Sequence, residues 1–258
     1  YATDETPEML PLPVVLAHRL TSRLTWARIN DEQKRFGPDG KAMAIVEYED
    51  ERPVRVARIV VSFQHEPSVE PADLSEIVWR DVILSALKGV PYDDSLELIL
   101  NPGGRFVLGG PDADTGLTGR KLAVDGYGPF VPTGGGAFSG KDPTKLDRSG
   151  AYMARCVAKN IVASGIARRC QVTLTYAIGM AKPLAVEVDT FGTGLLCEDD
   201  CLGAAVRTAF DLTPAGIITE LDLQRPIYAR TAVGGHFGRD DLPWEKLDRT
   251  GLLMATLI

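Results

Sequence analysis

The chain has 258 residues, 45% of them hydrophobic and 24% charged, with a formal net charge of −7. That apolar share supports a globular core, the length allows one large or two ordinary domains, and the acidic balance argues against a nucleic-acid surface. No apolar run approaches the roughly 18 residues of a membrane span, no signal-peptide pattern is present, and Cys156, Cys170, Cys197 and Cys201 are too sparse for a disulfide framework. The expectation is a cytoplasmic protein with reduced thiols, in preference to a zinc site from Cys197, Cys201 and His236.

Apolar residues at three- and four-residue spacing predict a helix over 13–30, with Val14, Ala17, His18, Leu20, Thr21 and Leu24 inward and His18 a core histidine. Gly37-Pro38-Asp39-Gly40 reads as a turn. Alternation predicts a strand over 41–49, with Met43 and Ile45 on one side and Ala44, Val46 and Tyr48 on the other. After a hairpin turn over 51–53, a second strand over 55–65 ends on an exposed His65. An amphipathic helix over 73–88 stops at Gly89, and a short strand covers 96–100.

The pattern then recurs. Asp142-Pro143 reads as N-cap and first turn of a helix that buries Leu146, Gly150, Met153, Ala154, Val157, Ala158, Ile161 and Val162. Arg148, Arg155 and Lys159 fall off that stripe. Gly165 stops this helix. Strands follow over 170–178, with Val172, Leu174, Tyr176 and Ile178 on one face, and over 184–190. Helices near 200–210 and 214–221 come next, the second opened by Thr213-Pro214. His236 is expected to shape a turn and the Trp244 segment to dock the C-terminus. Both halves read helix, strand, strand, helix. This is an α+β chain of repeated α/β domains, with helices packed on one face of a mixed sheet.

Between the halves lies a stretch, residues 103–147, dense in glycine and interleaved with Arg105, Arg120, Lys121, Lys141 and Lys145 and with Asp112, Asp114, Asp142 and Asp147. Glycine lets backbone N–H groups approach a ligand closely, and such amides beside arginine and lysine cradle phosphate oxygens. Carboxylates among them imply a divalent cation bridging to the phosphates. Composition therefore suggests a metal–polyphosphate site. Residues 135–141 satisfy G-x-x-x-x-G-K, but Asp142 stands where a P-loop needs Ser or Thr, and Pro143 follows it. A P-loop is disfavoured.

The runs GRFVLGGP (104–111), GLTGRK (116–121) and GGGAFSGKDPTKLDRS (134–149) resemble the S-adenosylmethionine synthetase (methionine adenosyltransferase) family. YATDET at the start, TYAIG (175–179), FGTG (191–194) and GHFGRDDLPWEKLD (236–248) match in the same order. The resemblance implies the family's central domain over 1–109 and its C-terminal domain over 110–258, without the preceding domain and its histidine and acidic ligands. It implies synthesis of S-adenosylmethionine from ATP and L-methionine, with release of phosphate and diphosphate. Mg²⁺ and K⁺ are the implied cofactors, and the implied assembly is a homo-oligomer with sites at the dimer interface.

By motif, Arg120, Lys121 and Lys141 resemble the catalytic cations. ATP contacts fall on Asp39, Lys41, Arg105, Phe106, Asp114, Ala137 and the same three cations, with Phe106 stacking on the base. Asp114 and Lys145 resemble the methionine-binding residues and Asp147 a metal ligand. The sequence departs from the family pattern at Ala113, Gly126, Pro129 and Thr133; alanine at 113 is expected to restrict a loop built on glycine. Two other readings stay open: a non-catalytic regulatory subunit, and a P-loop-like NTPase or kinase. The chain by itself is expected to be inactive, because part of the metal shell and of the methionine site belongs to the absent domain.

Overall fold

The computed structural model describes residues 1–257. The chain forms two compact units: Leu12–Leu117, and Tyr1–Pro11 together with Thr118–Ile258. The first eleven residues thus fold with the second half of the sequence. They do so through a two-residue strand, β1 (Ala2–Thr3), whose partner lies far along the chain.

In the unit Leu12–Leu117, helix α1 (Leu12–Asn30) buries Leu12, Leu16, Leu20, Leu24 and Ala27. Leucines repeating every fourth residue make one continuous stripe on a 3.6-residue helix. Ala17, His18 and Thr21 are half-buried beside it. The stripe is therefore rotated from the predicted one, because leucine removes more apolar surface from water than alanine or histidine.

Strands β2 (Phe36–Glu49) and β3 (Arg52–His65) form an antiparallel hairpin. Asp50 and Glu51 close it, both at positive φ, in the two-residue geometry that suits strand twist. The expected turn at 37–40 is instead a bulge inside β2. Phe36 pairs with His65 and Gly40 with Phe63, so residues 37–39 stand opposite Gln64 alone. Ala42, Ala44 and Val46 join Ile59, Val61 and Phe63 in the core with α1, while Met43 and Ile45 lie on the open face.

The second helix of this unit is not regular. α2 (Pro71–Ile77) runs into a π-helical turn (Val78–Ile83) and a closing turn, α3 (Leu84–Ala86). In the π turn the Leu84 N–H reaches the carbonyl of Trp79, and Arg23 of α1 donates twice to the carbonyl of Asp81 at 3.0 and 2.9 Å. Gly89, at φ 76°, ends the helix. The crossover delivers β4 (Glu97–Leu100) parallel to β3, giving the order β2-β3-β4.

In the other unit, α4 (Leu122–Asp125) is a single turn and α5 (Leu146–Ala163) is the central element. α5 starts at Leu146, not at Pro143. The Asp142 carboxylate accepts from the Thr144 N–H at 2.8 Å and from its hydroxyl, which folds 142–144 into a local turn ahead of the helix. Those two bonds hold the Asp142 carboxyl down at about 2. β5 (Arg169–Thr175) and β6 (Ala185–Asp189) pair antiparallel, and β1 adds to the start of β5. β5 ends before Ile178, which is fully exposed instead of sharing its inner face. α6 (Asp199–Ala209), α7 (Pro214–Glu220) and α8 (Thr250–Leu257) complete the unit. As expected, Thr213 caps α7, its hydroxyl accepting from the Gly216 N–H at 3.0 Å. Among the described residues no helix is long and apolar enough to cross a membrane.

Arg148, Arg155 and Lys159 are buried in this unit, contrary to their placement off the apolar stripe. The cause is the segment ending at Trp244, which stacks on Tyr152 of α5 at 3.6 Å and brings Glu245 with it. Arg155 donates to Glu245 at 3.0 and 2.8 Å and to the carbonyls of Tyr1, Glu8 and Met9 at 2.7, 2.7 and 2.8 Å. Lys159 lies 3.0 Å from the same carboxylate and donates to the Glu245 main-chain carbonyl at 2.9 Å. Burial alone would raise the Glu245 carboxyl, but the charges of Arg155 and Lys159 outweigh it and hold it below its ordinary value.

Replacing Glu245 by Gln removes the countercharge of buried Arg155 and leaves buried Lys159 only the exposed Asp240, 3.7 Å away. Urea unfolding is expected to register a loss of about 3–5 kcal/mol. A loss within ~0.5 kcal/mol, the range of an ordinary surface substitution, contradicts the assignment.

Candidate functional site

The sequence-predicted site residues fall into two groups, one in each unit. In Leu12–Leu117 the bulge of β2 and the glycine-rich segment after β4 hold each other. The Asp39 carboxylate accepts from the Gly110 N–H at 3.0 Å, and the Asp39 N–H donates to Gln64 Oε1 at 3.1 Å. Gln64 Nε2 in turn donates to the carbonyl of Val107 at 3.1 Å. A Cβ on Gly109 would fall 2.8 Å from Gln64 and 2.9 Å from the Phe106 ring, so any larger residue there would have to displace both.

Phe106 is anchored by His65, which is buried and not an exposed strand end. The His65 N–H donates to the Phe106 carbonyl at 2.9 Å, and the Phe106 N–H donates to His65 Nε2 at 3.3 Å. Nε2 therefore accepts, and Nδ1 carries the proton toward the Glu66 carbonyl at 3.0 Å. Arg105 turns to the carbonyl of Pro67 at 2.6 Å and to Glu70 at 3.2 Å. Lys41 lies exposed opposite Ser62. Asp114 is exposed, its N–H bonded to the Gly110 carbonyl at 3.0 Å. Ala113 has φ −114°, an ordinary value for any residue, so alanine introduces no strain at that departure.

The second group contains Arg120, Lys121, Ala137, Lys141, Lys145 and Asp147. Gly119, at φ 80°, has no room for a side chain: a Cβ would stand 2.6 Å from the Ser139 carbonyl. The turn carrying Arg120 and Lys121 is thereby pressed against the segment that leads into Lys141. Lys141 pairs with Asp147 at 2.5 Å, and Lys145 with Asp142 at 3.4 Å. A Cβ on Gly136 would stand 2.4 Å from Asp147, so the glycine run lies directly over that carboxylate. Residues 131–138, the start of α5 and β5 line an open cleft of about 720 Å³, with Thr133, Gly134, Gly136, Lys145 and Asp147 in its wall.

Lys141 precedes α5, and no strand leads into Gly134, so the P-loop geometry is absent from the described residues. Also among the described residues, no three or more His, Cys, Asp and Glu side chains form a metal-binding group. Cys197 and Cys201 are free thiols.

Residues 1–106 match the family described as S-adenosylmethionine synthetase, central domain, and residues 108–246 match S-adenosylmethionine synthetase, C-terminal domain. The chain belongs to the S-adenosylmethionine synthetase family. It is 55% identical over 254 residues to the S-adenosylmethionine synthases of two strains of Thermus thermophilus. The match covers 98% of this chain and 64% of each relative. The glycine-rich stretch of this synthetase-family chain thus spans the end of one matched domain and the start of the next.

Beneath the second group runs a set of buried side chains that sequence reasoning missed. His236, expected in a turn, is fully buried. Its Nδ1 lies 2.7 Å from the Tyr152 hydroxyl and its Nε2 lies 3.0 Å from the Ser139 hydroxyl. The His236 carbonyl accepts from Trp244 Nε1 at 2.7 Å, and its N–H donates to the Asp125 carbonyl at 2.9 Å. The signal available was the pairing of two matching words, GHFG and AFSG; nothing in either word says that they meet. Burial lowers the His236 pKa to about 4, helped by Arg148 and Arg239. Burial also raises the carboxyl of Asp125, whose Oδ1 lies 3.9 Å from His236 Nε2.

Because the folded pKa of His236 lies below its unfolded value near 6.5, neutral imidazole is favoured in the native state. Its contribution is fully present above the unfolded value and is lost as pH falls toward about 4. The unfolding free-energy difference between wild type and His236→Asn is expected to shrink by about 3 kcal/mol from pH 7 to pH 4. A difference independent of pH contradicts a buried neutral imidazole.

Proposed function

We propose that this chain is the triphosphate-gripping part of a methionine adenosyltransferase that makes S-adenosylmethionine from ATP and L-methionine. The observation carrying the proposal is the contact of Gly119 with Ser139, because it draws the Arg120–Lys121 turn and the Lys141 segment of a synthetase-family chain to one place. In the proposed reaction the neutral methionine thioether attacks ribose C5′. A sulfur–carbon bond forms, the C5′–O5′ bond breaks, and the electron pair leaves with the triphosphate. The thioether sulfur carries no proton, so no general base is required. Catalysis rests on positioning and on stabilising the charge that grows on the leaving group.

Arg120, Lys121 and Lys141 supply fixed positive charge for that purpose. Lys141 is engaged with Asp147; a polyphosphate would replace that carboxylate as its partner and leave Asp147 facing a cation. Mg²⁺ suits one carboxylate completed by phosphate oxygens and water, and bound there it would neutralise charge on the triphosphate. K⁺ belongs to the proposal as the second cation. Phe106, held by His65 and Gly109, presents a ring for the adenine, with Arg105, Asp39, Lys41 and the Ala137 backbone as further ATP contacts. Asp114 and Lys145 are the proposed contacts for methionine. Hydrolysis of the triphosphate to phosphate and diphosphate follows before release.

A second copy of the chain completes the proposed assembly, which works in the cytoplasm. Met43 and Ile45 are exposed on the open face of the β2–β3 hairpin, where Met43 pairs with Val60 and Val60 with Ile99. An apolar row of this kind is the sort of surface that an obligate interface covers.

Purified protein at its full cellular length, given ATP, methionine and Mg²⁺, is expected to form S-adenosylmethionine. Lys141→Ala is expected to lower kcat by about 10²-fold. Residues 1–258 by themselves are expected to form none, since Asp147 is only one of the oxygen ligands Mg²⁺ needs. No product from the full-length protein sinks the functional reading; full turnover by 1–258 sinks only the statement about the isolated chain. Light scattering at micromolar concentration is expected to give at least a dimer, and a Met43→Glu, Ile45→Glu double variant to shift it toward monomer.

A further inference from the structure

Arg148 follows Asp147 in the first turn of α5, and its guanidinium is buried. It donates from Nη1 to the main-chain carbonyl of Lys141 at 2.7 Å, from Nε to the Tyr152 hydroxyl at 2.9 Å and from Nη2 to the Thr231 hydroxyl at 3.1 Å. The ring of Tyr228 lies 4.1 Å from its central carbon. All four of these partners are neutral, and no carboxylate is bonded to the guanidinium, whose charge Asp125 feels without a hydrogen bond. A buried cation without a bonded carboxylate costs free energy that an apolar residue of the same volume would not, so stability alone does not account for arginine here.

The fork geometry does. Three N–H directions reach three separate segments at once, which a lysine ammonium on a flexible stem does not reproduce. Arg148 also begins a series of hydrogen bonds. Its Nε–H donates to the Tyr152 hydroxyl, which pairs with His236 Nδ1, and His236 Nε2 pairs with the Ser139 hydroxyl. Ser139 carries the carbonyl on which Gly119 rests. One buried guanidinium therefore fixes Lys141 directly, and the Arg120–Lys121 turn through Tyr152, His236 and Ser139.

We propose that Arg148 is the positioning residue of the polyphosphate site: it sets the main chain of Lys141 and, through the hydrogen-bond series, the place of the Arg120–Lys121 turn. This rests on the reading of Lys141 as a triphosphate ligand. Its signature is energetic coupling to Lys141, which a purely structural contribution to the core does not produce.

The experiment is a double-mutant cycle on the full-length protein. Binding of inorganic tripolyphosphate is measured by calorimetry in wild type, Arg148→Lys, Lys141→Ala and the double variant, each checked for folding by thermal melting. Arg148→Lys is expected to weaken binding about tenfold with Lys141 present and less than about twofold with Lys141 replaced. Equal losses in both backgrounds, or undiminished binding by folded Arg148→Lys, overturn the proposal. Lys141→Ala binding as tightly as wild type overturns the reading of Lys141 itself and the proposal with it, an outcome distinguishable from the other two. If Arg148→Lys does not fold, Tyr152→Phe takes its place in the same cycle and is held to the same criteria. That variant keeps the ring on Trp244 and removes only the hydroxyl.

Discussion

The second unit depends on the buried carboxylate of Glu245. It neutralises Arg155 and Lys159 inside the protein and accepts from the backbone of Gly238. Through Arg155 it also gathers the carbonyls of Tyr1, Glu8 and Met9. Without it Arg155 would be stranded away from water and Lys159 left with only the exposed Asp240, and the costs of burial would fall on the middle of α5. With it, two segments from opposite ends of the chain, residues 1–9 and 238–245, are fixed to one helix face. Trp244, next in the chain, lies flat on Tyr152, and Tyr152 reaches the Ser139 segment through His236.

This arrangement explains how a long segment without regular structure is held. Backbone groups in an irregular loop need partners other than a helix or strand ladder. Here several are supplied from beneath: Arg148 for the carbonyl of Lys141, His65 for both main-chain groups of Phe106, Asp39 for the N–H of Gly110. The glycines act mainly by what they lack. At 109, 119 and 136 a Cβ would collide with Gln64, Ser139 and Asp147 respectively. The segment is irregular in conformation and closely fitted in space.

Periodicity made the regular elements legible. The existence of α1, though not which of its faces is buried, the alternation of β2 and the apolar positions of α5 each follow from one local period. The rest was hidden because burial is decided by partners that local sequence does not name. Arg148, Arg155 and Lys159 look like a solvated face until residues 228–245 cover them. His65 looks like a strand end until Phe106 returns to it. The bulge at 37–39 looks like a turn because glycine, proline and aspartate serve both purposes. The matching glycine-rich words placed the candidate ligand contacts on the chain, and the side chains that hold those words still lay outside them or in their unremarkable positions.

The π-helical turn at Val78–Ile83 has a consequence for how this sequence tolerates length variation. Such a turn is an α-helix that has absorbed one extra residue without expelling it as a loop. Upstream of it Leu74 and Ile77, and downstream Ala86 and Leu87, all still reach the core. Deleting one residue within the turn would return the segment to ordinary α geometry with both ends keeping their buried faces. The same deletion in the middle of α1 would rotate every later side chain by about 100° and carry the leucine ladder off the sheet. The helix from Pro71 to Ala86 is thus a place where the chain can gain or lose a residue in evolution while the hairpin beside it stays in register.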